Sequence, residues 1–262
     1  MYTFRIVRST TGVLAAIGLA LSASLVSAAT GLEIMQRVQD RYVGEDSKAL
    51  IQMVLVSASG RQKERTLLFI SKDYGKDSKL LIKFVEPKEL KDTGLLIHSF
   101  ADKENLQWLY LSRAGKKEPR KIPSTDKGDS FLGSEFYYVD FEENQATDFE
   151  HKVLREEEWG GYSTVVVESI PKKADYPYSK TVAWVDKATD VVVKADIYQH
   201  GKLLKTITVN RMEKREGVDT PLETEVVNHQ NGKKSYLRVQ KIKYNNGIDD
   251  NAFTLEQLVR GL

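Results

Sequence analysis

No cysteine occurs among the 262 residues. Its absence excludes a disulfide scaffold, a thiolate metal site, a cysteine nucleophile and a lipid anchor on an N-terminal cysteine. An excess of charge is also missing. The chain carries 39 Lys and Arg against 37 Asp and Glu, and Arg5 and Arg8 lie in a first stretch of 28 residues without acids. The rest is formally neutral, which argues against general nucleic-acid binding through phosphate contacts, and no nucleic-acid partner is expected. Beyond residue 28 no apolar run approaches the roughly 20 residues that a membrane-spanning helix needs. Proline is scarce, at 6 residues, and no low-complexity stretch divides the chain, so residues 29–262 are expected to form one domain.

Catalytic and metal-binding signals are equally thin. His98, His151, His200 and His229 are scattered at spacings that suit no metal motif. Gly133-Ser134-Glu135 does not form the full GxSxG nucleophile elbow, and there is no glycine-rich phosphate loop. The acidic clusters Glu142-Glu143, Glu156-Glu157-Glu158 and Asp249-Asp250 read as solvated surface. Neither a metal nor a cofactor is expected. Enzyme chemistry would need Ser134 to converge with His98 or His151, and no spacing suggests it, so the chain is not expected to be an enzyme.

What is present begins with an export signal. Arg5 and Arg8 form a basic region, an apolar run covers residues 13–21, and Val26-Ser27-Ala28 suits cleavage. Residues 1–28 are therefore expected to be a removable signal peptide, and the periplasm of a Gram-negative bacterium is the expected compartment. Thr30 and Glu33 have the spacing of a capping box before Ile34, Val38 and Tyr42, which predicts a helix over 31–43 ended by Gly44.

From there the period changes to two. Leu80, Ile82 and Phe84 share one face, with Lys79 and Lys83 on the other. Ile51-Met53-Leu55, Leu106-Trp108-Tyr110, Val165-Val167, Val182-Trp184, Val191-Val193-Ala195-Ile197, Ile207-Val209 and Leu237-Val239 behave similarly. Turn signals such as Gly160-Gly161 and Asn231-Gly232 separate them. The count predicts about eleven strands in an antiparallel sheet, since no crossover helices lie between the runs. A second helix is predicted from Thr254, with Gln257 completing its cap, to near Gly261. Residues 114–133 read as a long loop.

The expected inward set is Phe69, Leu80, Ile82, Phe84, Leu96, Trp108, Tyr110 and Trp184. Two short helices cover a sheet of this size poorly. The set either packs solid or lines a cavity, and periodicity does not decide between them.

One stretch carries more information. Ser130-Phe131-Leu132-Gly133-Ser134-Glu135-Phe136-Tyr137-Tyr138-Val139-Asp140 resembles the signature segment, roughly SFxGSDFxYxDL, of the outer-membrane lipoprotein-sorting family. Val85-Glu86-Pro87, Gly94-Leu95-Leu96, Gln107-Trp108-Leu109-Tyr110-Leu111 and Arg120-Lys121-Ile122 are similar to that family as well. So are Tyr178-Ser179-Lys180, Trp184-Val185-Asp186, Gly201-Lys202, Leu204-Lys205, Tyr244-Asn245-Asn246 and Phe253-Thr254. Glu135 and Phe141 stand where Asp and Leu are usual, and both keep the charge or apolar character.

The resemblance implies a LolA-like carrier: a mainly β (α+β) fold with an incomplete antiparallel β-barrel and helices acting as a lid over an apolar cavity. It implies acyl chains of a lipid or lipoprotein as cargo, passed between an inner-membrane exporter and the outer membrane. The expected partner is an MMPL/RND-type transporter, with transient membrane contact and a monomeric protein. Trp108, Tyr110, Phe131, Phe136 and Tyr137 join the candidate cavity lining, with Gly133 allowing a bend between the aromatics. Arg113, Lys116, Lys117, Arg120 and Lys121 are candidates for meeting a headgroup or the transporter, at about 1 kcal/mol for each basic residue near an anionic membrane. Glu135 and Asp140 are expected to fix the signature segment by binding backbone amides or these basic groups. The alternative to a lipid carrier is an accessory subunit that grips a protein segment of the transporter.

Overall fold

Thr30 opens the first helix in the expected way. Its hydroxyl accepts from the Glu33 N–H at 3.2 Å, and the Glu33 carboxylate accepts the Thr30 N–H at 2.7 Å. Helix α1 spans Gly31–Asp40, three residues less than predicted. Arg41 turns to extended backbone and Gly44, at φ +83°, sets the turn into the first strand, so the intervening residues serve as connection. Tyr42, expected on the apolar helix face, is 59% exposed. The computed structural model describes residues 29–112 and 118–261. The predicted export signal and the basic residues Arg113, Lys116 and Lys117 lie outside the described residues.

Thirteen strands follow: β1 (Asp46–Val56), β2 (Gln62–Asp73), β3 (Ser78–Glu86), β4 (Gly94–Ser99), β5 (Leu106–Tyr110), β6 (Arg120–Lys121), β7 (Phe149–Trp159), β8 (Tyr162–Pro171), β9 (Lys180–Asp186), β10 (Val192–Gln199), β11 (Lys202–Arg215), β12 (Val218–Asn228) and β13 (Lys234–Tyr244). They form one antiparallel sheet in the order β6-β5-β4-β3-β2-β1-β13-β12-β11-β10-β9-β8-β7, with β6 and β7 as its open edges. The prediction of about eleven is corrected to thirteen. A two-residue strand such as β6 leaves no period to read. The charged β7 has little buried surface on either face, because it is an edge. Helix α2 (Leu255–Val259) starts where predicted, with the Thr254 hydroxyl accepting from the Gln257 N–H at 3.2 Å.

Register assigns each side chain to one of two faces. Leu95 lies opposite Ile82 and Leu109, and these join Met53, Leu67, Phe84 and Ile97 in the main core. Following the pairing across the sheet, the same face carries Val226, Ile207, Ala195, Ala183, Val167 and Val153. Helix α1 packs there through Ile34, Met35 and Val38 against Val165, Val167 and Val185. We call this the inner face. The opposite, outer face holds Leu81 and Leu96, covered by Phe253 and Leu258 at the C-terminus. Gly31 lets α1 approach closely: a Cβ there would sit 2.9 Å from the His151 carbonyl carbon, a backbone atom that cannot step aside.

The sheet has to curl. Phe141 packs on Phe69 of β2, while its neighbour Asp140 bonds Lys205 of β11 at 2.5 Å. Those strands are four steps apart in the sheet, roughly 19 Å if it were flat. Two adjacent residues reach both because the strands wrap around them.

Candidate functional site

The predicted signature segment is the object the sheet wraps. Leu132 (φ +49°) and Gly133 (φ +82°) reverse the chain, so that the Phe131 N–H donates to the Phe136 carbonyl at 2.8 Å. Only glycine takes the second of these conformations without strain. Phe131 then points into the inner face, with its ring 5.8 Å from Phe84, 5.8 Å from Tyr138 and 5.1 Å from Phe141. Arg65 donates to the Leu132 carbonyl at 2.8 Å and holds the turn from outside.

Both carboxylates fix the segment, Asp140 through a backbone amide and a cation other than the expected ones, Glu135 through two asparagine side chains instead of backbone amides or basic groups. Asp140 accepts the Tyr137 N–H at 2.7 Å, the Tyr178 hydroxyl at 2.5 Å and the Lys205 ammonium at 2.5 Å. Glu135 accepts from Asn228 at 2.7 Å and Asn231 at 3.2 Å. Lys205 is fully buried; its burial depresses the ammonium pKa, and Asp140 opposes that effect. Neither carboxylate pairs with Arg120 or Lys121, which stand exposed on β6, Arg120 lying 3.9 Å from Asp126. Ser134 is spent inside the turn, its hydroxyl donating to the carbonyls of Phe131 and Phe136. His98 contacts the Phe253 carbonyl on the outer face, and His151 is held between Ser169 and Ala146. The Ala146 carbonyl can only accept, so His151 Nε2 carries the proton and Nδ1 accepts from Ser169. Ser134 and these histidines are engaged in three separate places. Among the described residues no cluster of acids and histidines is arranged to hold a metal ion.

The expected inward set divides into three groups. Phe69, Leu80, Ile82 and Phe84 do face inward, where Phe131, Phe136, Tyr138 and Phe141 fill the space against them, and Ile82, Phe84 and Phe131 have no exposed surface. This part of the inner face is solid core; Leu80 also borders open space. Leu96, Trp108 and Tyr110 are on the outer face, packed with Phe253 and Leu258. In Leu-Gln-Trp-Leu-Tyr the inward residue is Leu109, since Trp108 alternates with it. Trp184 is also an outer residue, in a cluster with Val166, Val182 and Val193. A register slip between Val192 and Lys194 places Val193 there, breaking the apparent Val191-to-Ile197 run. Tyr137 lies beneath the Lys205 ammonium, 3.7 Å from its ring centre.

Open volume lies instead between α1 and the inner face. A cleft of about 390 Å³ has Met35, Val38 and Val43 on one wall, Ala183 and Thr181 of β9 on its floor, and Phe149 and Tyr176 at its end. Gln39 fastens α1 to the opposite wall: its amide donates to Gln145 at 2.8 Å and accepts from the Ala146 N–H at 2.8 Å. A second cleft of about 540 Å³ lies beyond Phe149 and Tyr176, whose rings meet edge-on at 5.4 Å. It is larger and bordered by Asp102, Lys103, Glu104, Asp148, Lys172 and Lys173, whereas the α1 cleft sets the aliphatic side chains of Met35, Val38, Val43 and Ala183 beside Arg41, Asp73, Lys76 and Glu143, an arrangement suited to the chain of an amphiphile. Met35, Val43, Phe149 and Tyr176 were not expected at the site. Met35 beside the helix's apolar stripe was the one available signal.

Glu143 also borders the α1 cleft, and although much of the residue stays exposed, desolvation of its carboxyl, assisted by the Asp73 charge, raises its pKa above the ordinary 4.5. A carboxyl raised in the folded state contributes stability below its unfolded pKa and loses it as pH rises through the folded value. Glu143→Gln removes that titration. Thermal melts at matched pH should therefore show wild type gaining on the variant as pH falls from neutral toward 4.5.

A domain from Vibrio parahaemolyticus described as an outer membrane lipoprotein-sorting protein has the same architecture, with 31% identity over 88% of this chain and 98% of its own, and a TM-score of 0.83. The chain belongs to the outer-membrane lipoprotein-sorting family. A DUF1329 family protein from Desulfovibrio piger is similar at 25% identity, covering 87% of this chain and 97% of its own, with a TM-score of 0.82. A LolA superfamily protein from Nitrosomonas europaea, at 17% identity over 87% of this chain and 98% of its own, shares the fold with a TM-score of 0.66. The model of a family described as uncharacterized protein matches residues 76–260. No curated protein matches the chain. The lipoprotein-sorting fold accounts for the open antiparallel sheet with few helices, including the signature segment at its centre.

Proposed function

We propose that this protein is a periplasmic carrier that binds the acyl chains of a lipid or lipoprotein in the α1 cleft. In this reading residues 1–28 direct export, residues 29–262 act as one carrier domain, and the protein moves cargo from an MMPL/RND-type exporter in the inner membrane to the outer membrane without catalysis. The observation that carries the reading is the cleft itself. Within a lipoprotein-sorting fold whose inner face is packed around the signature segment, an open volume of about 390 Å³ with an apolar wall of Met35, Val38, Phe149 and Ala183 remains beneath α1. That volume falls in the range of small-molecule sites. Among the described residues no helix is long and apolar enough to cross a membrane.

The energetics suit a carrier. An acyl chain leaving a bilayer for a dry cleft retains most of its burial energy, about 0.8 kcal/mol per methylene, so uptake and release both stay near balance. Helix α1, held by the Gln39 contacts and a half-buried apolar face, is the element whose opening would admit the chain. Titration with a fluorescent acyl probe tests this. Wild type should bind, and Val38→Glu, which places a charge against the chain, should weaken binding by at least about tenfold. Leu154→Glu on the exposed edge strand should not. Absence of probe binding by wild type would contradict the carrier reading and favour a cleft that grips a protein segment.

A further inference from the structure

Among the described residues the three buried cations are all fully engaged. Lys83 donates to the carbonyls of Asp92, Leu258 and Arg260, Lys127 to Glu142 and Asn105, and Lys205 to Asp140 and Glu135. Arg41, which is half-buried, stands apart from them. It ends α1 and stands in the wall common to the α1 cleft and a neighbouring space of about 210 Å³. Among the described residues its guanidinium has no hydrogen bond and no ion pair within 4.0 Å. Glu143, Asp219 and Tyr244 act on it from farther away, and its largest perturbation is desolvation.

The acids nearby are already occupied. Asp219 pairs with Lys214 at 3.5 Å, Asp46 accepts the N–H groups of Asn246 and Ile248, Asp73 accepts the N–H of Gly75, and Glu143 bonds Ser78. A guanidinium presents five donors in a planar fork shaped for a carboxylate or phosphate. Removing it from water without a partner is unfavourable, and an anion entering the cleft would relieve that. Met35, Val38 and Phe149 border the same cleft and suit the chain of an amphiphile.

We infer that the α1 cleft is built for amphiphiles with a single anionic head group, a carboxylate or a phosphate, gripped by Arg41 while the alkyl chain lies along Met35, Val38 and Phe149. The inference rests on the carrier reading and narrows its cargo class. It assigns Arg41 the choice of head group and the apolar wall the chain.

Three probes of equal chain length decide it: dodecanoate, dodecyl phosphate and dodecanol, each titrated by calorimetry into delipidated full-length mature protein. Wild type should bind the two anions about 10- to 100-fold more tightly than the alcohol, the range that one charge-assisted contact commands. The tighter of the two identifies carboxylate or phosphate as the preferred head group. Arg41→Gln should reduce the preference to within about threefold, and Arg41→Lys should restore part of it. Equal binding of alcohol and anions by wild type, a comparison that needs no variant, would overturn the inference and leave the carrier reading standing. Retention of the preference by a folded Arg41→Gln would do the same. Failure of all three probes to bind would overturn both.

Discussion

Replacing Phe131 with alanine should cost about 3–5 kcal/mol, the range for truncating a fully buried aromatic whose site cannot collapse. The ring has no exposed surface and meets Phe84, Tyr138 and Phe141 at centroid distances of 5.1 to 5.8 Å. Its neighbours come from β3 and from the signature segment itself, which the Leu132–Gly133 turn and the Arg65 contact hold in place. They have little freedom to close over the void. Chemical denaturation should show a lower midpoint with unchanged slope, the mark of lost stability in an unaltered unfolding reaction. The melting temperature should fall by about 10 °C or more for a domain of this length. Leu154→Ala, at a residue 38% exposed on β7, should change stability by less than about 0.5 kcal/mol.

Lys205→Met should be of similar size for a different reason. The ammonium is fully buried and the Asp140 side chain is only 5% exposed, so the variant strands a carboxylate inside the sheet with the Tyr178 hydroxyl and the Tyr137 N–H as its remaining partners. Breaking a buried pair from one side costs about 3–5 kcal/mol, most of it the penalty of the orphaned charge. The pair itself need not stabilise the fold, since burial outweighs Asp140 in its effect on Lys205. Its work is to fix the signature segment against β11. Lys205→Met combined with Asp140→Leu should therefore be less destabilised than the two single variants added together, and a double-mutant cycle read from denaturation curves measures the difference.

These two residues show how far the sequence could be read. The alternation of Leu80, Ile82 and Phe84 placed a strand and its inward side correctly, because Lys79 and Lys83 occupy the other parity and mark it as the outward one. The same reasoning failed at Leu-Gln-Trp-Leu-Tyr, where apolar residues occupy both parities and both faces are covered, one by the core and one by Phe253 and Leu258. Alternation fixes the sides within a strand but says nothing of which side is shared with the next strand; that depends on register and on bulges such as the one at Val193. The signature segment was legible through its resemblance to a family, as was the anchoring role of Glu135 and Asp140. Their partners were not: Lys205 lies 65 residues from Asp140 and Asn228 lies 93 from Glu135, and no local pattern marks such a contact.

The open site was the least legible part. Its wall combines one turn of α1, the stretch around Glu143–Phe149 and the β9 floor, elements that touch only once the sheet has curled. The aromatic residues that best suited a cavity on paper are the ones that fill the core or the outer face. Smaller side chains such as Val38 and Ala183 line the space that remains, as large rings consume volume and small ones leave it.

Native mass spectrometry of the protein isolated from its native cells, with organic extraction of whatever accompanies it, tests the central claim most directly. The account predicts a stoichiometric acylated species on wild type and its loss from a folded Val38→Glu variant. A bare polypeptide mass for wild type, with nothing acylated in the extract, would contradict it.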